Sequence, residues 1–352
     1  MPKLFRSRFL FLVTGLIFIP AAVFCREAVP IRIGWQTSWA TQGQAAMVLK
    51  NTNILELNGL KGEFKGFTYG GPLNEGALAG ELDVIFTADQ PACMLLARGA
   101  KWKIVGRLMY SRVGTIVPPD SPVKTTAGLK GKSVGIPFGA AAQRETLRAL
   151  KEAGLDPMKD VTILNIGINE QIPVIQKGDN GAWPGIDAFS TWDPTMAELI
   201  LKNKARVLDQ ALVTSAIVMS DDFIAKQPRA AAGFLKSYIT AFYYYAAHQA
   251  EANSWFRDAA KLELAPEVLD QAASVEPNLK AAALSGVNIA LSDNDIRKIQ
   301  SAADFNFSQK LAVKPIKDVK KFINTDLLKK AVKELASPGN GDYLSRIKPL
   351  PR

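Results

Sequence analysis

The apolar residues of this chain come in short runs, each ended by a polar turn, and two of the runs follow one formula. Leu82-Asp83-Val84-Ile85-Phe86 stops at Thr87-Ala88-Asp89 and is followed by Gln90-Pro91. Ile186-Asp187-Ala188-Phe189-Ser190 stops at Thr191-Trp192-Asp193 and is followed by Pro194. An apolar run of this length reads as a parallel strand buried on both faces. Asp followed closely by Pro reads as a helix start, because Asp accepts from free amides and Pro gives up an N–H that has no partner there. The chain therefore writes one strand–turn–helix unit twice, Asp83 recurring as Asp187 and Asp89 as Asp193. Ligands of open α/β sheets sit outside the carboxyl ends of the strands, so these two ends are expected to face one cleft.

The same alternation runs through most of the chain. Strands are predicted at Ile31–Trp35, Phe64–Phe67, Leu82–Phe86, Trp102–Leu108, Ser133–Ile136, Val161–Leu164, Ile186–Phe189, Arg206–Leu208 and Ala216–Met219. Helices are predicted at Trp39–Leu49, Leu73–Ala79, Pro91–Arg98, from the 138–143 turn to Ala153, at Glu170–Gln176 and at Pro194–Leu201. Regular βαβα spacing argues for mostly parallel sheets covered by helices. Pro118, Pro119 and Pro122 interrupt the pattern and predict a crossing between lobes, with Ala216–Met219 as the return. Beyond it the texture is helical. Phe234, Tyr238, Phe242 and Tyr245 share one helix face and read as core. The expected organisation is a leader at 1–25, one lobe from 30–115 plus 213–310, a second from 118–210, and a C-terminal helical extension at 311–352.

A chain of 352 residues, 48% hydrophobic and 22% charged, suits about two globular domains and excludes disorder. Lys3, Arg6 and Arg8 followed by the apolar stretch Phe9–Phe24 have the form of a secretory signal, which predicts a periplasmic protein. Cleavage after Cys25 and lipid attachment at Cys25 both stay open. Removing the leader lowers the net charge from +10 by its three basic residues. The lysines crowding Lys310 to Lys333 read as a solvated helical face rather than a nucleic-acid surface, since no recognition motif accompanies them. Two cysteines exclude a disulfide framework, and Cys93, in an apolar helical run, reads as a small core residue.

One histidine, His248, in a predicted helix, leaves no basis for zinc ligation by histidine or for Ser–His or Cys–His catalysis. Gly131-Lys132-Ser133 lacks the earlier glycine of a phosphate loop and precedes a strand. Neither a metal nor a cofactor is expected. The opening Gly139-Ala140-Ala141-Ala142 is the strongest candidate site: free amides at a helix start attract anions, small side chains let a ligand reach the backbone, and Gln143 and Arg144 add donors. Tight packing against the sheet is the competing reading. Trp35, Trp39 and Trp192, with Gln36 and Gln90, fall at strand ends or helix starts and are expected to line the pocket. Asp89 and Asp193 read first as helix caps whose spare lone pairs could take a ligand amine.

These residues resemble the periplasmic substrate-binding proteins of ABC importers, in the aliphatic sulfonate, nitrate and taurine group. The resemblance rests on Ile33-Gly34-Trp35-Gln36, Gly80-Glu81-Leu82-Asp83 through Asp89-Gln90-Pro91, Leu129-Lys130-Gly131-Lys132 with the 139–142 turn, and Ile186-Asp187-Ala188 with Trp192-Asp193-Pro194. It implies a two-lobed, type II α/β fold whose lobes close on a small solute. It further implies a non-catalytic monomer serving a permease and its ATPase at the membrane. The chain departs from sulfonate binders in carrying Ala140, Ala141 and Ala142 where hydroxyls are common, and Gln143 where a histidine is common. A sulfonate-like anion or zwitterion is the expected solute. A pyrimidine-type heterocycle or other uncharged solute, a sensor role, and an exported enzyme on the same scaffold are the alternatives.

Overall fold

A computed structural model of the chain describes residues 27–337 and 342–351; the leader and Cys25 lie outside them. Eight strands form one sheet: β1 (Val29–Gln36), β2 (Leu60–Phe67), β3 (Val84–Ala88), β4 (Trp102–Val117), β5 (Ser133–Ile136), β6 (Thr162–Asn165), β7 (Ala188–Trp192) and β8 (Arg206–Ser220). Their order is β2-β1-β3-β8-β4-β7-β5-β6. At one end β1 runs parallel to β2 and β3, with Ile33 opposite both Phe64 and Val84. At the other end β5 runs parallel to β6 and β7, with Gly135 opposite Leu164 and Phe189. These are the sheets of the two lobes.

The lobes are joined by β4 and β8, of 16 and 15 residues, which pair antiparallel along nearly their whole length. Residues 84–88 of β3 pair with one end of β8, and residues 189–192 of β7 pair with the far end of β4. The chain thus crosses inside two strands. Sequence reading ended the first of them at Leu108, split the second into Arg206–Leu208 and Ala216–Met219, and placed the first crossing at the prolines. The interruptions that suggested the splits are real, because the β4–β8 register shifts between Arg107 and Tyr110. Such an irregularity bends a strand without ending it. Pro118–Pro122 lies past the crossing, where the Asp120 amide donates to Asn180 O and Arg206 donates to Val123 O.

Helices cover both faces: α1 (Gln42–Asn51), α2 (Ile54–Leu57), α3 (Gly70–Leu78), α4 (Asp89–Ala97), α5 (Ala141–Glu152), α6 (Ile168–Lys177), α7 (Thr195–Leu201), α8 (Asp221–Lys226), α9 (Pro228–Ala247), α10 (Gln249–Ala260), α11 (Pro266–Ala273), α12 (Asp293–Ser308) and α13 (Asp326–Leu335). The aromatic stripe of α9 is core, as read: Phe234, Tyr238, Phe242 and Tyr245 are buried, and Tyr238 stands edge-on to Phe86 of β3 at 5.2 Å. Cys93 is also core, its thiol donating to Ile299 O. The C-terminal segment returns to the first lobe, where α13 packs on α9 and Tyr343 meets Asn58.

The bend in β4 is pinned from the first lobe. Glu276 accepts from Arg107 Nη1 at 2.7 Å and from the Tyr110 amide at 2.8 Å. Tyr238 Oη donates to Leu108 O at 2.8 Å. On α12, Asp295 accepts from Thr214 Oγ1 of β8 at 2.8 Å and from Tyr110 Oη at 3.1 Å, and so holds both crossing strands. Burial pushes the Asp295 carboxyl up, but hydrogen bonds from Ser292, Thr214 and Tyr110 outweigh it and leave the group below its ordinary value.

A depressed carboxyl contributes stability that is complete above its unfolded value of about 3.9 and is lost as pH falls through the lower folded value. Asp295→Asn should therefore cost about 1–3 kcal/mol near neutral pH, the value of a lost charged hydrogen-bond set. The gap from wild type should shrink as pH drops below about 4. Urea denaturation across a pH series measures both.

Candidate functional site

Four strand–helix junctions meet where the lobes face each other. β1 ends at Gln36 and turns through Trp39 into α1; β3 ends at Ala88 beside α4; β5 leads through Gly139 into α5; β7 ends at Trp192 before α7. Gly139 sits at φ 81°, the left-handed region that glycine enters without penalty, and this turns the chain from β5 toward α5. The Asp193–Pro194 peptide is cis. The two repeated units do face one another, and a cavity lies between them. Gln36, Trp39, Tyr69, Gly70, Ala88 and Pro91 line it from the first lobe, Ala140–Ala142 and Trp192 from the second, and Val113 and Val213 from the crossing strands.

The cavity is nearly closed. The space left between its walls is small, with room for about one water. Contacts across the seam explain this. Arg144 Nη2 donates to Asp89 Oδ2 at 2.7 Å, and both side chains are buried. Trp192 Nε1 donates to Ser38 O at 3.0 Å. The Ala40 amide donates to Asp193 O at 3.4 Å, and Gln90 Nε2 to Gln143 Oε1 at 3.5 Å. The Tyr69 and Trp192 rings lie 6.5 Å apart across the gap. Gly70 permits this fit, since a Cβ there would stand 2.6 Å from the Pro91 ring.

Several expected site residues have different tasks. The Asp89 carboxylate does not cap α4; it accepts from Arg144 and from the neighbouring Gln90 amide. Burial pushes its carboxyl up, and the Arg144 charge pulls it back. Asp193 precedes Pro194, the N-cap of α7, and accepts from the first-turn Ala197 amide at 3.1 Å, while its other oxygen accepts from Arg112 Nε at 2.8 Å. Burial likewise raises it against the pull of Arg112. Neither carboxylate is left to face a ligand amine. Trp35 is placed in the core, its ring edge-to-face with Phe256 at 6.4 Å, because alternate residues of β1 point to opposite faces. The Gly139 amide donates to Gln143 Oε1 at 2.9 Å, so it too is occupied. Gln143, Arg144, Asp89 and Gln90 form the seam rather than the cavity wall. Ala141 and Ala142, the first two residues of α5, have no preceding turn to take their amides and lie on the wall itself.

Sequence reading missed Tyr69 and Arg112. Tyr69 stands two residues past the end of β2 and just before Gly70-Gly71 of α3, a signal of the same kind as Trp39. Arg112 stands mid-strand and becomes recognisable only when β7 lies beside β4.

Trp39 Nε1, on the cavity wall, is buried without a partner, as are Thr87 Oγ1, Gln90 Oε1, Ser111 Oγ, Ser215 Oγ and Arg144 Nη1 on the strands and helices that meet here. Ser215 lies opposite Ala88, and Ser111 opposite Val213, so both share a sheet face with lining residues. All but Gln90 Oε1 can donate.

A family model described as NMT1/THI5 like matches residues 71–252, more than half of the chain. The chain belongs to the NMT1/THI5-like family. It is 26% identical over 348 residues to a Bacillus subtilis (strain 168) protein named for binding aliphatic sulfonates, covering 93% of this chain and 99% of that one. Its fold is similar to that of the periplasmic aliphatic sulphonate binding protein SsuA from Escherichia coli, with TM-score 0.67, 21% identity and coverage of 84% and 92%. It is also similar to the desulfurization enzyme DSZB, with TM-score 0.61, 14% identity and coverage of 87% and 99%. Family and fold therefore agree with the two-lobed reading, while binding or catalysis has to be argued from the site.

Removing one member of a buried ion pair leaves a charge without compensation. Arg144→Ala should cost about 3–5 kcal/mol in chemical denaturation, and the double variant with Asp89→Ala should recover part of that loss. A coupling energy near zero in this double-mutant cycle would show that the pair does not hold the seam.

Proposed function

We propose that the chain is an exported solute-binding protein that captures a small organic anion between its lobes and hands it to an ABC importer. The observation that carries this reading is the cavity between the strand ends, lined by no charged side chain and carrying the unpaired donor Trp39 Nε1 on its wall. A head group rich in acceptor oxygens satisfies Trp39 Nε1 and the amides of Ala141 and Ala142, aided by the positive end of α5. Trp39, Tyr69, Trp192 and Pro91 offer a short apolar body its surroundings. With both carboxylates engaged, a zwitterion has no counter-charge for its amine, so an aliphatic monoanion of the sulfonate class fits best. The name of the Bacillus subtilis relative points the same way.

Closure follows from the topology. Only β4 and β8 pass between the sheets of the lobes, and their bend lets the lobes rotate as rigid bodies until the seam contacts form. The protein is read as a monomer of the periplasm with its leader at 1–25, peripheral to the membrane through its permease or through lipid at Cys25. Binding without turnover is favoured because the site offers no nucleophile with a base. His248 stands exposed beside Tyr244, and burial pushes the Cys93 thiol far above its usual range.

A thermal-shift screen of alkanesulfonates, carboxylates, amino acids, nitrate and heterocycles tests the reading. A ligand at about 100 times its Kd should add about 2.7 kcal/mol to stability. Short alkanesulfonates or similar anions should stabilise the fold, and Trp39→Phe should weaken them about tenfold by removing a donor while keeping the ring. Trp192→Ala should weaken them at least as much, at about tenfold or more, because it removes both the wall and the Ser38 contact. Stabilisation by uncharged heterocycles alone, or full affinity in both variants, would overturn the assignment.

A further inference from the structure

A second cavity, far larger than the one between the strand ends, lies on the first lobe beside α13. It offers about 600 Å³ to the centre of a water-sized sphere and shares no lining residue with the cleft. That lies within the range of about 300–1,000 Å³ typical of small-molecule sites. Its walls are aliphatic: Val105 of β4, Ile239 of α9 and Ile289 from the segment before α12.

The remaining wall explains why the groove exists. On α13, Leu327, Leu328 and Ala331 are buried against the core. A second stripe, Lys329, Val332, Lys333 and Ala336, follows the same helical spacing but faces the groove. Val332 is left 51% exposed, an aliphatic side chain with open space before it. Lys329 and Lys333 are the charged side chains among the lining residues, and both are positive. Lys329 reaches Asp326 at 3.2 Å, but that pair is largely exposed and weak. The segments 287–291 and 323–325 opposite bring no charge. The groove is therefore mostly apolar, with two cationic side chains, Lys329 and Lys333, among those that line it.

We propose that this groove binds a free long-chain carboxylate, its alkyl chain lying along Val105, Ile239, Ile289 and Val332 and its head group at Lys329 and Lys333. A recessed groove suits one alkyl chain, whereas a bilayer surface would need a protruding apolar face to enter it. The site is separate from the cleft, so it neither needs nor tests the solute-binding reading.

Calorimetry of the full chain with dodecanoate, below its micelle concentration, tests this. Saturable binding is expected, weakened about tenfold or more with octanoate because fewer methylenes are buried. Val332→Trp, which fills the trough from an exposed position, should abolish binding with the melting temperature unchanged. Lys329→Gln together with Lys333→Gln should weaken dodecanoate about tenfold and leave dodecanol unaffected. Absence of binding, binding indifferent to Val332→Trp, or equal affinity for dodecanoate in the lysine variant would overturn the proposal. So would a dimer dispersed by Val332→Trp, which would give the groove to a second copy, or capture by anionic vesicles without binding of free dodecanoate.

Discussion

The pairing of β4 with β8 is the constraint on which the rest of the structure depends. Each strand contributes one end to each lobe, so the same ladder of backbone hydrogen bonds belongs to both sheets. A ladder of this kind resists stretching and shear, yet its register shifts, among them the one between Arg107 and Tyr110, let it bend. Glu276, Asp295 and Tyr238 hold that place from the first lobe only. The bend is thus anchored on one side and carries the second lobe on the other.

From this follows the character of the cleft. Bringing the strand ends together buries polar groups that each lobe would otherwise leave in water. Some find partners across the seam, above all Arg144 with Asp89 and Trp192 with Ser38. Others, including Trp39 Nε1 and the hydroxyls of Thr87, Ser111 and Ser215, find none. An unsatisfied buried donor costs about 1–3 kcal/mol, so these groups weigh against the arrangement that the seam contacts hold. The seam and the cavity are products of one geometry: paired polar groups hold the lobes together, and Trp39 on the cavity wall keeps an unpaired donor.

Much of the fold was legible because parallel strands buried on both faces leave continuous apolar runs, and because Thr-x-Asp followed by Pro marks where each run ends. The twin junctions at Asp89 and Asp193, the turn at Gly139 and the aromatic stripe of α9 were all readable in this way. The two crossing strands were not, since a bend inside a strand leaves the same local marks as a boundary between two. Trp35 and Trp39 looked alike as tryptophans near a strand end; only the pleat of β1 sends one to Phe256 and leaves the other at the cavity.

The amino-acid sequence by itself determined the repeated strand–turn–helix units, the layers they build and the family to which they belong, because these depend on neighbours a few residues apart. What partners the carboxylates take, which amides lie on the cavity wall and which tryptophan lines it were decided only by the tertiary structure. Asp89 met Arg144, and Asp193 met Arg112, across distances that no local pattern encodes, and a buried charge takes whatever partner the fold brings within reach.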